Sequence, residues 1–439
     1  MRDILVTLMV VGALPFVFIR PYLGVILWSW LAYMNPHRLT YGFAYTMPFA
    51  AITAGVVFLA MLLSKDKLRI PKNPVLLLWA ALILWMCITT PFALMPDAAG
   101  FEWKRAMKIQ LMTLITLLLI TDREKLNHLV WIIVFSLGFF GFKGGVFTIA
   151  TGGSFRVWGP PDTFVEGNNE LALALIMVLP LMRYIQLEVQ NIWIKRLMML
   201  TMVLSTLSIL ASYSRGAFLA AAAMFLVFWL KSNRKIILGL VLTLAAVVAV
   251  TFMPEKWGER METISEYKED KSALGRINAW MFAFNVAKDR PLVGGGFGAF
   301  NKETFLKYAP EPEDFHDAHS IYFEVLGEHG FVGLILFIIF WAMVLKTGNW
   351  TIRHTRDRPD LNWANNLTAM CQAGLIGYAV GGAFLGLAYY DLPYHLMAII
   401  IITRSIVEKE LDTKPDKNEE PIRRKNLFQA GRFDTPKFR

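Results

Sequence analysis

The sequence is short of charge and nearly devoid of cysteine, and each shortage excludes a class of protein. Only two cysteines occur in 439 residues. Cys87 and Cys371 both fall in apolar runs, so neither a disulfide framework nor a cysteine metal site is available. Charged residues make up 18% of the chain, where a soluble domain carries about 25%. No phosphate-binding loop with its lysine is present, and with it goes any sign of ATP use. The cluster Gly294-Gly295-Gly296-Phe297-Gly298 follows Pro291 without strand–helix context and reads as a flexible turn. No internal repeat of the transporter kind is visible. No small-residue cleavage site follows the first apolar run, which therefore reads as a retained helix and not a signal peptide.

What the chain has in quantity is apolar sequence: 56% hydrophobic residues and a mean hydropathy of +0.46. Spanning a bilayer takes about 20 apolar residues per helix. Such runs recur near 4–34, 47–64, 74–91, 105–120, 128–150, 170–182, 195–212, 216–230, 236–252, 319–345, 362–387 and 390–407. The expected fold is an all-α integral membrane bundle of about 12 transmembrane helices. About nine of them fall in residues 1–252 and the others in 319–407, with a long external loop at 253–318 between the two sets and a basic tail at 408–439. The net charge of +10 is not a nucleic-acid signal, because the basic residues gather in short connections on one side, at Lys65 to Lys72, Arg123 to Lys125, Arg183 to Arg196, Lys231 to Lys235 and Lys346 to Arg358. The positive-inside rule makes that side cytoplasmic, with the basic tail disordered there. Both termini then lie inside, unless Arg20-Pro21 divides 4–34 into two helices and puts the N-terminus outside.

The same alternation puts residues 151–169, the turn at Arg215 and the loop 253–318 on the outer face, and it exposes charges on the wrong side. Arg215, in Ser-Tyr-Ser-Arg-Gly-Ala (212–217), either snorkels to lipid phosphates or grips a phosphate of a lipid-linked ligand with its guanidinium fork. Arg276 sits in Gly-Arg-Ile-Asn-Ala-Trp (275–280), on a loop helix that Ser272 can cap and whose apolar stripe is Ile277, Trp280, Met281 and Phe284. That helix should lie along the interface with Trp280 near the headgroups. Lys104, Arg105 and Lys108 form a further basic group, either a ligand contact or charge balance for Asp97 and Glu102. Arg156 is a similar case. Asn168, Asn169 and Glu170 can contact sugar or phosphate, and helix capping explains the asparagines equally well.

His319 stands where the long loop meets the next apolar run, and an imidazole is suited to taking a proton from a hydroxyl near neutral pH. His316, Asp317 and His319, with Asp314 or Glu313, have the donor types of a metal site but not the spacing of a strong zinc signature. His316 also reads as an exposed loop residue. Glu328 and His329 fall about two turns into the following helix, where Gly330 and Gly333 permit close packing. His37 and His395 read as interfacial packing residues.

In order along the chain, Ser-Arg-Gly-Ala (214–217), Gly-Arg-Ile-Asn-Ala-Trp (275–280), Pro-Leu-Val-Gly-Gly-Gly (291–296) and His-Ser (319–320) with Glu328 and Gly330 resemble the O-antigen ligase and polymerase superfamily. Pro-Tyr-Leu-Gly (21–24), Met-Asn-Pro-His-Arg (34–38) and the stretch 157–172 are similar to its O-glycosylation ligase branch. The family often has His-Asn where this chain has His319-Ser320. The resemblance implies a GT-C-type glycosyltransferase of the bacterial inner membrane with its active site facing the periplasm. The implied partners are an undecaprenyl-diphosphate-linked glycan as donor, lipid A–core as acceptor and the surrounding membrane lipids, with no nucleotide, nucleic acid, cofactor or metal. It makes His319 the base, Arg215 and Arg276 the diphosphate ligands, and Arg105, Lys108, Arg156, Asn168, Asn169 and His316 substrate contacts. An O-antigen polymerase and a protein O-oligosaccharyltransferase share that donor; a non-enzymatic lipid transporter is the alternative from another class.

Overall fold

A computed structural model describes residues 1–64, 68–231, 236, 239, 240 and 271–413. Among them the regular structure is helical, with no strand: α1 (Arg2–Ile19), α2 (Tyr22–Tyr33), α3 (Phe49–Leu63), α4 (Pro74–Thr89), α5 (Pro96–Leu119), α6 (Arg123–Ala150), α7 (Asn168–Glu188), α8 (Ile192–Leu210), α9 (Arg215–Lys231), α10 (Lys271–Asp289), α11 (Lys302–Tyr308), α12 (Ile321–Thr355), α13 (Asn362–Gly381) and α14 (Asp391–Thr413). Seven helices among the described residues are long and apolar enough to cross a membrane, and α2, α3 and the start of α9 are shorter apolar helices. The chain is thus an all-α, multi-pass membrane protein. Helices are the economical answer to such a sequence, because they satisfy every backbone polar group within one segment.

Local signals set the helix starts. Asn73 accepts a hydrogen bond from the Val75 amide at 3.0 Å, Asp122 from Lys125 at 2.9 Å and Asn191 from Trp193 at 2.8 Å, so α4, α6 and α8 are each side-chain capped. All three caps lie at the end of the bundle that carries the basic connections. The division at Arg20-Pro21 makes two helices and not one interrupted helix. Asp3 accepts from the amides of Gly42 and Ala44, and the Arg2 guanidinium reaches the Leu39 carbonyl, so α1 starts where α2 finishes. The N-terminus therefore lies at the opposite end from the basic connections.

The centre of the bundle is α7 and α14, which are buried on nearly every face. Around them stand α5, α6, α8, α9, α12 and α13. His395 is fully buried within α14 and takes the Tyr33 hydroxyl at 2.5 Å, so it is a core residue and not an interfacial one. His37 is half-buried, edge-on to Phe49. The last helix runs to Thr413; the expected disordered tail from 414 onward, the basic residues Lys65, Lys67 and Lys235, most of the apolar run 236–252 and the loop segment 253–270 lie outside the described residues.

The expectation of a flexible glycine turn at 294–298 is corrected by its hydrogen bonding. α12 breaks at Gly330, which has φ 68° and ψ −170°. The break frees two carbonyls, and the turn fills the gap: the Gly295 amide donates to Gly327 O at 2.8 Å and the Gly296 amide to Glu328 O at 2.8 Å. Phe331 N returns a bond to Pro291 O at 2.9 Å, and Leu94 N donates to Gly295 O at 2.7 Å. The turn is a brace. A Cβ at Gly330 would stand 2.5 Å from the Leu292 carbonyl oxygen and 2.6 Å from that of Pro291. Gly330→Ala is therefore expected to cost about 3 kcal/mol and to lower the thermal unfolding midpoint in detergent; an unchanged midpoint would show that the break is dispensable.

Candidate functional site

Arg215 owes its position to a tight reversal between α8 and α9. Tyr213 takes a left-handed conformation, φ 56°, and its hydroxyl is anchored on the Gly153 carbonyl at 2.6 Å. Asn168 donates to the Ser212 carbonyl at 2.6 Å, which ties the start of α7 to the same turn. Ser214 accepts from the Ala217 amide at 3.1 Å and so caps α9. Arg215 is the first residue of α9, and its guanidinium adds to the positive end of the helix dipole. An anion placed there meets both.

Arg276 is carried by α10, which packs on α12. Asn278 donates to the carbonyls of Glu311 and Asp314 and accepts from the Glu311 amide, all within 3.0 Å. That clamp holds the segment 311–320 against α10. Trp280 donates to the Ala318 carbonyl at 3.1 Å and stacks on Phe323 with ring centroids 5.1 Å apart. It holds the strap that carries His319. Leu274, Ile277, Met281 and Phe284 form the exposed apolar stripe of the helix. Ser272 is the second residue of α10 and not its cap.

His319 is half-buried, with φ 43°. A non-glycine residue held left-handed is strained unless its surroundings fix it. Here the Ala318 amide bond to Asp317, at 2.9 Å, and the Trp280 contact precede it directly. Burial lowers the His319 pKa below 6.5, and the Arg276 guanidinium lowers it further, so the neutral imidazole is favoured near pH 7.

Arg156, Arg215 and Arg276 converge with Asn168 and Asn169 around one cavity of about 50 Å³. These residues come from the 151–167 segment, α7, α9 and α10, which the fold brings together at the end away from the basic connections. A concentration of three guanidinium groups with little space between them suits a compact, multiply charged anion.

A cavity of about 540 Å³ lies beside it. The two share a partition: Gly167 and Glu170 line the larger one where Asn168 and Asn169 line the smaller, and Gly386 and Leu387 continue from Leu385. Glu102, Glu166, Glu170, Asp317, Glu324 and Glu328 face it, as do the rings of Trp158, Phe164, Phe297 and Tyr389. Glu328 accepts from Tyr389 OH at 2.7 Å and from the Gly298 amide at 2.9 Å; Glu324 accepts from the Ala388 amide at 3.0 Å. Carboxylates that accept hydroxyls, beside aromatic faces that cover C–H surfaces, suit a sugar. No three His, Cys, Asp or Glu side chains among the described residues are grouped so as to hold a metal ion.

The other expected contacts divide. Arg105 lines the large cavity, 3.9 Å over the Phe164 ring and 3.7 Å from Glu102, so it joins the site and balances charge at once. Lys108 is exposed and lines neither cavity, and Lys104 is likewise outside. His316 pairs with Asp314 at 3.0 Å over the face of α10 left open by Gly275, and lines neither cavity. His319 itself is two residues from the lining residue Asp317 and lines neither cavity. The carboxylates Glu102, Glu166 and Glu324 were not singled out by sequence. Only Glu324 had a readable signal, a second acid four residues before Glu328 in an apolar helix.

Residues 200–338 match the family model described as O-antigen ligase, and residues 1–190 match a family of unknown function (DUF5935). A search of curated proteins finds no match to the chain.

Proposed function

We propose that this chain, whose residues 200–338 match the O-antigen ligase family model, is a ligase that moves a glycan from a lipid diphosphate to a sugar hydroxyl. The observation that carries the proposal is the pairing of the two cavities: a three-arginine pocket for the diphosphate, against an acid- and aromatic-lined chamber for sugar. The donor is an undecaprenyl-diphosphate-linked glycan and the acceptor lipid A–core. The bundle is of the GT-C type, with about 12 spans and its site at the periplasmic face of the inner membrane.

In the reaction the acceptor oxygen attacks the anomeric carbon, His319 takes the hydroxyl proton, and the bond from that carbon to the diphosphate oxygen breaks. The electron pair leaves with the diphosphate, where Arg215 and Arg276 stabilise the growing charge. Attack opposite the leaving group inverts the anomeric centre. Arg156 and Asn169 complete the anion pocket, and Asn168 positions the Ser212–Arg215 turn. Arginines serve this purpose without a divalent ion, so metal-independence belongs to the proposal.

The test is a lipopolysaccharide gel from a strain lacking the gene, probed for O-antigen with and without mild acid. Polymeric glycan confined to the acid-labile carrier, with bare lipid A–core, is the expected result. A core bearing one repeat would identify a polymerase instead, and an unchanged ladder would overturn the proposal in favour of a protein acceptor.

A further inference from the structure

Lys143 on α6 lines neither the arginine pocket nor the acidic chamber. Beyond Lys125, Lys143 is the only Asp, Glu, Lys or Arg in α6, and it interrupts an otherwise apolar run. It lies seven residues before the end of the helix at Ala150, about 10 Å along the axis, at the same end as the arginine pocket. Gly138, Gly141 and Gly145 turn the other face of α6 against Thr201, Leu204 and Ser205 of α8, where no lysine fits. Lys143 is therefore exposed on the outer side of α6, and among the described residues it has no ion-pair partner. A cation inside an apolar helical run is a candidate functional site, to be judged by what surrounds it.

Its surroundings say what the ligand is. Lys143 and Arg156 are the two charged residues of a groove of about 330 Å³, otherwise lined by apolar and aromatic residues such as Leu39, Phe140, Phe147, Trp158 and Pro161. Arg156 also lines the arginine pocket. Arg156 thus stands between an apolar face of α6 and the cluster of guanidinium groups. A second apolar crevice, of about 210 Å³ between α12 and α13, is lined by Phe337, Trp341, Leu345 and Tyr378 and has no charged residue. It offers an isoprenoid chain nothing for its headgroup.

We propose that the groove between α6 and residues 156–161 receives the isoprenoid end of a lipid diphosphate. Lys143 holds the phosphate esterified to the lipid, and Arg156 hands the diphosphate on to Arg215 and Arg276. This rests on the donor chemistry proposed above and adds the ligand's route and a residue to it.

The test uses undecaprenyl diphosphate, without sugar, carrying a photoreactive diazirine on its chain, with the full-length protein in phosphatidylcholine nanodiscs. Peptide mapping is expected to find the label on the groove wall, at Phe147 or Trp158. Lys143→Gln should raise the apparent Kd about fivefold, and Lys143→Arg should restore it. Lys143 is exposed, so the variants should stay folded, and size-exclusion profiles check that they do. Label confined to the α12–α13 crevice would overturn the proposal, as would an unchanged Kd in Lys143→Gln or equal competition by phosphatidylglycerol. A wild-type protein that neither binds nor takes label would sink the donor assignment itself, whereas binding that ignores Lys143 would sink only this groove.

Discussion

His319→Ala is expected to cut glycan transfer by about 10²–10⁴-fold, while the protein still inserts and accumulates at normal levels. The imidazole is the one group beside the anion pocket that burial and Arg276 together keep neutral, and a base must be unprotonated to accept the acceptor's proton. The pH profile follows in sign. Because the folded pKa is lowered, the neutral form persists as pH falls through 6.5, and transfer declines only as pH drops through the lower folded value. Removing the Arg276 charge in Arg276→Gln should move this acid limb upward, because one of the groups that lowers the His319 pKa is gone. Full transfer in His319→Ala would take the histidine out of the mechanism, and an acid limb above 6.5 in the wild type would contradict the environment described for it.

Arg215→Ala should lose about 10²–10³-fold in turnover, and Arg215→Lys should recover little of it. A lysine supplies charge but not the planar fork that meets two phosphate oxygens at once. Lys108→Ala is the matched control: it removes a cation from the same face of the protein, but one that lines neither cavity, and transfer should stay within about twofold of wild type. Activity in the presence of chelator should be unchanged. A reconstituted assay with purified donor and acceptor reads all four. Chelator-sensitive activity restored by one specific ion, or equal losses in Arg215→Ala and Lys108→Ala, would remove the arginine pocket from the reaction.

Much of this site was legible one residue at a time. Arg156, Arg215, Arg276 and Asn168 were each marked by charge or capping chemistry on an outer segment, and the fold collects them around one cavity. The sequence could not separate Arg105 from Lys108. Three residues apart on α5, both carry the same charge, and only the rotation of the helix decides that Arg105 covers Phe164 while Lys108 faces outward. His316 and His319 are likewise three residues apart; the first is spent on Asp314. The acidic chamber was illegible for another reason. Its walls come from α5, the 158–170 segment, the glycine brace, α12 and the 386–389 loop, and no local pattern announces residues that meet only after folding.

Composition alone determined that the bilayer is the solvent, because so many apolar runs leave backbone polar groups no partner there except their own helix. Order along the chain determined the alternation of the two ends, with basic connections on one and the conspicuous arginines on the other. Tertiary structure decided the rest. Helices α1 and α2 form a hairpin because Asp3 is bonded to Gly42 and Ala44, a contact across 39 and 41 positions. The glycine run is a brace and not a loose turn because α12 breaks beside it at Gly330 and leaves carbonyls that its amides bond. In both cases the deciding interaction joins residues far apart in the chain, where periodicity and local propensity carry no information.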